Sequence, residues 1–187
     1  MKNKQTTFIR SMLIFSAVIS TALLVACGES SPEKSKSAIS PKANTLDSIQ
    51  LMDTKPSDAI SVKAAREQLE PGAEATVFGQ IGGVDQPFLE GYAGFVLADT
   101  DIVFCDEMGE DHCPTPWDAC CEDADKLKKS RASVQFVDAE GRILHESMKG
   151  FSGLSGLSHV VVQGTVASSS TPENLIIEAR SLYSVQK

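Results

Sequence analysis

The chain has 187 residues, 42% hydrophobic and 22% charged, an ordinary balance for a globular protein with room for one domain plus extensions. Its 17 Lys and Arg against 25 Asp and Glu give a formal net charge of −8. The basic surface that drives nucleic-acid binding by counterion release is missing, so no nucleic acid is expected as a partner.

Residues 1–26 read as a signal segment. Lys2, Lys4 and Arg10 precede a 15-residue apolar run over 12–26 (MLIFSAVISTALLVA). A positive flank, a short apolar core and small residues before a cleavage point mark a secretory signal. The run is shorter than the roughly 20 residues a membrane-spanning helix needs. It ends Leu24-Val25-Ala26-Cys27, which resembles the lipobox of bacterial lipoproteins. That resemblance implies that Cys27 receives diacylglycerol, that residues 1–26 are removed, and that acyl chains such as palmitate tether the mature chain to a membrane. Each buried CH₂ of those chains contributes about 0.8 kcal/mol. Gly28, rather than Asp, follows the lipidated cysteine, which favours the outer membrane of the cell envelope, facing the periplasm or the surface. Removing 1–26, with three bases and no acids, leaves 14 bases against 25 acids, a formal −11. Anionic headgroups repel such a chain, so the lipid must do the anchoring.

Residues 27–56 are expected to be a lipidated tether. Ser, Lys and Pro recur there without apolar periodicity, and only Ile49, Leu51 and Met52 hint at contact; a flexible coil of this length spans roughly 30 Å. A domain is expected over 57–187. Ser61 can cap a short helix over 62–69, stopped by Pro71-Gly72. Strand character follows over 75–81, where Val77, Gly79 and Ile81 alternate with Thr76, Phe78 and Gln80. It returns over 94–97, 133–137, 142–145, 160–166 and 175–185. The glycine-rich stretch 150–158 (GFSGLSGLS) reads as one helical turn or a flexible loop. Its Gly150, Gly153 and Gly156 are not a phosphate cradle, because no P-loop lysine follows. About five strands with a short helical piece before the fourth predict an all-β fold with small α content, a closed five-stranded barrel. Val-x-Gly-x-Ile at 77–81 and Val-x-Gly-x-Val at 162–166 resemble strands of an oligonucleotide/oligosaccharide-binding (OB) barrel, where glycines permit sharp bends.

The stretch 99–125 is chemically dense: Cys105, Cys113, Cys120, Cys121, His112, the only tryptophan, Trp117, and ten Asp or Glu with no Lys or Arg. Four cysteines in an exported domain are first read as two disulfides closing the loop 105–121. Bonding the adjacent pair strains its ring, so Cys120 and Cys121 are expected to reach Cys105 and Cys113 separately. The alternative is a zinc or copper site of thiolates and His112. The spacings Cys-x7-Cys and Cys-x6-Cys-Cys lack the usual knuckle, however, and His112 adjoins Cys113. A hard cation on Asp106, Glu107, Glu110 and Asp111 lacks the spacing of a calcium loop. A reactive thiol needs positive surroundings, which this loop denies. No Gly-x-Ser-x-Gly elbow is apparent, and none of His112, His145 and His159 pairs with a defined Ser and Asp, so the chain is expected not to be an enzyme. Trp117 reads either as a cover over the cross-linked loop or as an exposed stacking platform for a sugar or peptide.

The string Cys-Pro-Thr-Pro-Trp-Asp-x-Cys-Cys-Glu at 113–122 resembles one found in a set of uncharacterised bacterial envelope lipoproteins with an OB-type barrel. The resemblance extends over about 58–185 and includes Ile81-Gly82-Gly83 and Val160-Val161-Val162-x-Gly164. Ala119 stands where that family leads one to expect an aromatic. The resemblance implies a fold and a location but no activity, ligand or cofactor. The expectation is therefore a non-enzymatic, membrane-tethered binding or structural module. Its partner would be an envelope protein, peptide or saccharide, and the alternative is a zinc- or copper-binding lipoprotein.

Cys27→Ser is expected to leave the precursor unlipidated and uncleaved at residue 26. Detergent partitioning and intact mass check this, and a variant that still partitions and matures normally overturns the lipoprotein reading.

Overall fold

The computed structural model describes residues 45–108 and 113–185. The signal segment, Cys27 and His112 lie outside the described residues. No helix among the described residues is long and apolar enough to cross a membrane.

Among the described residues, seven strands and two α-helices follow in chain order: β1 Gln50–Leu51, β2 Ile60–Ser61, α1 Val62–Gln68, β3 Glu74–Ile81, β4 Gly94–Ala98, α2 Ala124–Lys129, β5 Arg131–Phe136, β6 His159–Val166 and β7 Leu175–Ser184. Antiparallel pairing joins β3 to β4 and β4 to β5. Next, β5 runs parallel to β7, β7 antiparallel to β6, and β6 antiparallel to β3. The cycle β3–β4–β5–β7–β6–β3 is closed, and this strand order is that of the expected OB-like barrel. One face of each strand supplies the core. In β3, Ala75, Val77, Gly79 and Ile81 point inward while Thr76, Phe78 and Gln80 are half-buried; in β5, Ala132, Val134 and Phe136 do the same. Phe95, Leu97, Phe136, Leu144, Met148, Leu154, Ile177 and Leu182 fill the interior.

Closure requires two close backbone approaches. The β6–β7 register slips between Gln163 and Gly164, a bulge that bends β6 around the barrel. A Cβ at Gly164 would collide with the backbone of Glu178 and Ala179, and one at Gly79 would lie 2.5 Å from the Ala98 carbonyl oxygen. The two glycines expected to turn the barrel therefore sit where neighbouring strands leave no room for a side chain.

Helix α1 begins at Ser61, whose hydroxyl accepts the Ala64 amide at 3.2 Å. The buried carboxylate of Asp99 accepts the Lys63 amide at 2.7 Å, satisfying a second free N–H of the first turn. Val62 and Ala65 enter the barrel core.

Two expectations are corrected. The tether does not extend to residue 56: Ile49 is buried in the barrel core with Leu46 packed beside it, Gln50 and Leu51 pair with Ser181 and Leu182, and Met52 donates its amide to the Leu182 carbonyl at 2.9 Å. Residues 142–145 form no strand; Asp138 accepts the Glu140 and Arg142 amides, and only Val137 and Ile143 form a bridge. The 150–158 segment takes the first of its two expected forms, a single helical turn. A 3₁₀ turn at Phe151–Gly153 leads to Leu154 in the barrel core, and Leu157 at φ 67° donates its amide to Ile81 at 2.8 Å.

Because Ile49 is a core residue and Leu51 is half exposed (50%), the two should respond differently to truncation. Ile49→Ala is expected to destabilise the domain by about 2–3 kcal/mol, and Leu51→Ala by no more than about 0.5 kcal/mol. Thermal melts of both variants decide this, and equal effects would contradict the packing of residues 46–52.

Candidate functional site

The cysteine loop connects β4 to β5, and backbone hydrogen bonds fold it back on itself. Cys105 opens a 3₁₀ turn, Cys105–Met108. Its amide donates to the Asp118 carbonyl at 2.8 Å, and the Asp106 amide to the Pro116 carbonyl at 3.0 Å. The far limb is thereby laid beside the near one. Ala98, Ile102, Phe104 and Ala119 form a small second core under this clasp, with Leu127 and Leu157 packed against it. At Ala119, where the family resemblance leads one to expect an aromatic, the methyl group is wholly buried in that core. A turn follows: the Glu122 amide donates to Ala119, making the exposed Cys120 and Cys121 its central residues. Glu122 then ties the loop to α2, accepting from Lys126 Nζ at 2.8 Å and from the Val103 and Asp123 amides. Chiefly through Lys126, its carboxyl is held down to about 2. Asp123 caps α2 by accepting the Asp125 and Lys126 amides.

This folding brings three of the four sulfurs together. The Sγ atoms of Cys105, Cys113 and Cys120 all lie within 4.8 Å of one another. Cys105 to Cys120 is 3.5 Å, and Cys121 Sγ lies 3.9 Å from Cys120 Sγ, outside that triangle. No disulfide joins the described cysteines; the three sulfurs that converge are those of Cys105, Cys113 and Cys120. Cys105 forms the buried floor, Cys113 is half-buried and Cys120 is at the rim.

The thiols are electrostatically unequal. Burial pushes Cys105 up to about 11, with its contacts to Cys120 and Cys113 also acting on it. Hydrogen bonding to Thr115, at 3.3 Å from its hydroxyl, pulls Cys113 below its ordinary value. The contact with Cys105 pulls Cys120 down, but Cys121, burial and the charge of Cys113 outweigh it, and the net direction is up.

Metal–sulfur bonds of about 2.3 Å place two thiolates on one ion roughly 3.8–4.0 Å apart. With Cys105 and Cys120 at 3.5 Å and all three sulfurs within 4.8 Å of one another, the triangle has the dimensions of a three-thiolate site. The group contains sulfur donors alone, which suits zinc or copper(I) and excludes a calcium-like preference. His145 and His159 take no part: His145 lies against Tyr92 and His159 stacks on Phe78.

Trp117 stands between its two expected roles. It is not in the small core under the loop. Its Nε1–H donates to the Asp85 carbonyl at 2.7 Å, and its carbonyl accepts the Gly83 amide at 2.8 Å. Its ring lies so close to Gly156 that a Cβ there would be 2.7 Å from Cδ2 and Cε3. The same residue borders a cleft of about 660 Å³ with Pro87, Phe88, Leu89 and Leu154. Sequence reasoning missed this cleft and the Thr115 contact, because neither the turn-rich stretch 85–90 nor a lone threonine carries a periodic signal.

No protein-family model and no curated protein matches the chain. Among solved structures, the hypothetical protein ygiW from E. coli aligns at 12% identity with a TM-score of 0.37, over 73% of this chain and 97% of that one.

Gly156→Ala is expected to displace the Trp117 ring, destabilising the domain by about 1–3 kcal/mol and shifting the emission of the chain's only tryptophan. Fluorescence spectra and melts check this; unchanged emission would show that Trp117 is not seated on Gly156.

Proposed function

We propose that the chain is a lipid-tethered, non-enzymatic module of the bacterial envelope that binds a thiophilic transition-metal ion, copper(I) or zinc, through Cys105, Cys113 and Cys120. The observation that carries this reading is the convergence of the three sulfurs within 4.8 Å. Sulfur-only donors select soft ions, and a three-thiolate set satisfies copper(I) outright, whereas zinc takes a fourth ligand. The ten carboxylates of the stretch 99–125 support it further. A field that opposes thiolate formation attracts a cation, and the ion's own charge then offsets the thiolates it draws out. The lipobox at Cys27 and the resemblance to envelope lipoproteins support the location. On this reading the four cysteines are kept reduced, with disulfide closure of the loop as the competing outcome.

The test is metal titration of the reduced protein under anaerobic conditions, with copper(I) and with zinc, against a chromogenic chelator. One ion per chain is expected, and Cys105→Ser should weaken binding by about tenfold or more. Trp117 emission should change with occupancy, because its neighbours Pro116 and Asp118 are clasped to the Cys105 turn. The reading is overturned by a protein that binds neither ion, or by natively purified chains with no titratable thiols after unfolding without reductant.

A further inference from the structure

We propose that Cys121 is an exchange ligand, through which the ion held by the Cys105–Cys113–Cys120 triangle is passed to an acceptor that supplies its own thiolate. The inference rests on the metal-binding reading above and concerns how that site loads and unloads. Its basis is the layout of the four sulfurs by depth. Cys105, at 5% exposure, is the floor of the site, and its amide is fixed to Asp118, so an incoming macromolecule cannot reach it. Cys120 and Cys121 are the paired centre of the Ala119–Glu122 turn, both exposed. Their sulfurs are 3.9 Å apart, the separation of two donors on one ion of the kind already considered. Cys121 is therefore placed to join Cys120 on the metal from the solvent side, without being one of the three sulfurs that hold it at rest.

Exchange then proceeds one bond at a time. The Cys121 thiol releases its proton to water and forms a metal–sulfur bond as the metal–Cys105 bond breaks, and Cys105 takes up a proton. The ion is now drawn to the rim. A thiolate of the acceptor forms the next bond as Cys113 leaves and is protonated, and two further thiolates of the same acceptor then replace Cys121 and Cys120 in turn, each leaving thiolate taking up a proton. Every step makes one metal–sulfur bond and breaks one. No electron moves and the ion keeps its oxidation state.

The experiment compares the parent with Cys121→Ser, Cys121→Ala and Cys105→Ser, using copper(I) alone as probe. Affinity is measured by chelator competition, and the rate of transfer to an excess of a thiol-bearing acceptor by stopped-flow absorbance. Both Cys121 variants are expected to hold copper(I) as the parent does, yet to transfer it several-fold more slowly. Cys105→Ser is expected to bind weakly. Transfer at the parent's rate from the Cys121 variants overturns the inference and leaves the triangle intact as a binding site. A loss of affinity as large as that of Cys105→Ser overturns it by making Cys121 a resident ligand. If the parent itself takes up no copper(I), the binding reading and the inference fall together.

Discussion

A backbone contact between the end of β3 and the far limb of the cysteine loop governs the geometry of the site. The Gly83 amide donates to the Trp117 carbonyl at 2.8 Å, and a Cβ at Gly82 would run into that same carbonyl oxygen. Gly82 and Gly83 adopt φ of 154° and 77°, a region that side chains disfavour. The loop can therefore lie on the barrel only because two glycines follow Ile81. Trp117 is fixed there at both its carbonyl and its indole N–H. Asp118 and Pro116, on either side of it, then accept from the turn that carries Cys105. The thiol triangle is in this sense a product of the barrel rim.

Among the described residues, the basic side chains that reach the loop pair with carboxylates, Lys126 with Glu122 and Lys63 with Asp101. Burial raises Cys105, and at Cys120 the lowering contact with Cys105 is outweighed by Cys121 together with burial, so both hold their protons more firmly than an ordinary thiol. A nucleophilic role requires the reverse arrangement. Metal capture does not, because the ion supplies the positive charge that the protein withholds.

Much of the fold was legible in the sequence, since a barrel wall is written with period two. The alternation over 75–81 and the β-branched runs at 160–166 and 175–185 located strands to within a residue or two. Ser61 announced α1. The elements that escaped are those too short for any period. Strand β1 has two residues, and its membership of the domain depends on the single buried side chain of Ile49, set in a Ser- and Lys-rich stretch that reads as tether. Helix α2 spans six residues with one apolar side chain, Leu127, facing the small core; its only signal was the capping carboxylate of Asp123. The cysteine spacing did not announce the convergence of three thiols, because knuckle rules assume a pair on one tight turn. Here the thiols come from two limbs joined by backbone bonds at Pro116 and Asp118, which a count of intervening residues does not register.

The correction to the tether bears on where the chain joins the barrel. With Ile49 in the core and Leu46 packed beside it, the domain begins before residue 57, and the stretch expected as tether loses its last part. The chain enters the barrel along β7, through β1, whereas the cysteine loop leaves from β4, two strands away in the order β7–β5–β4. The thiol rim therefore belongs to a different part of the wall from the one at which residues 46–52 join it, so a change in how β1 packs leaves the loop's own backbone clasp at Pro116 and Asp118 in place.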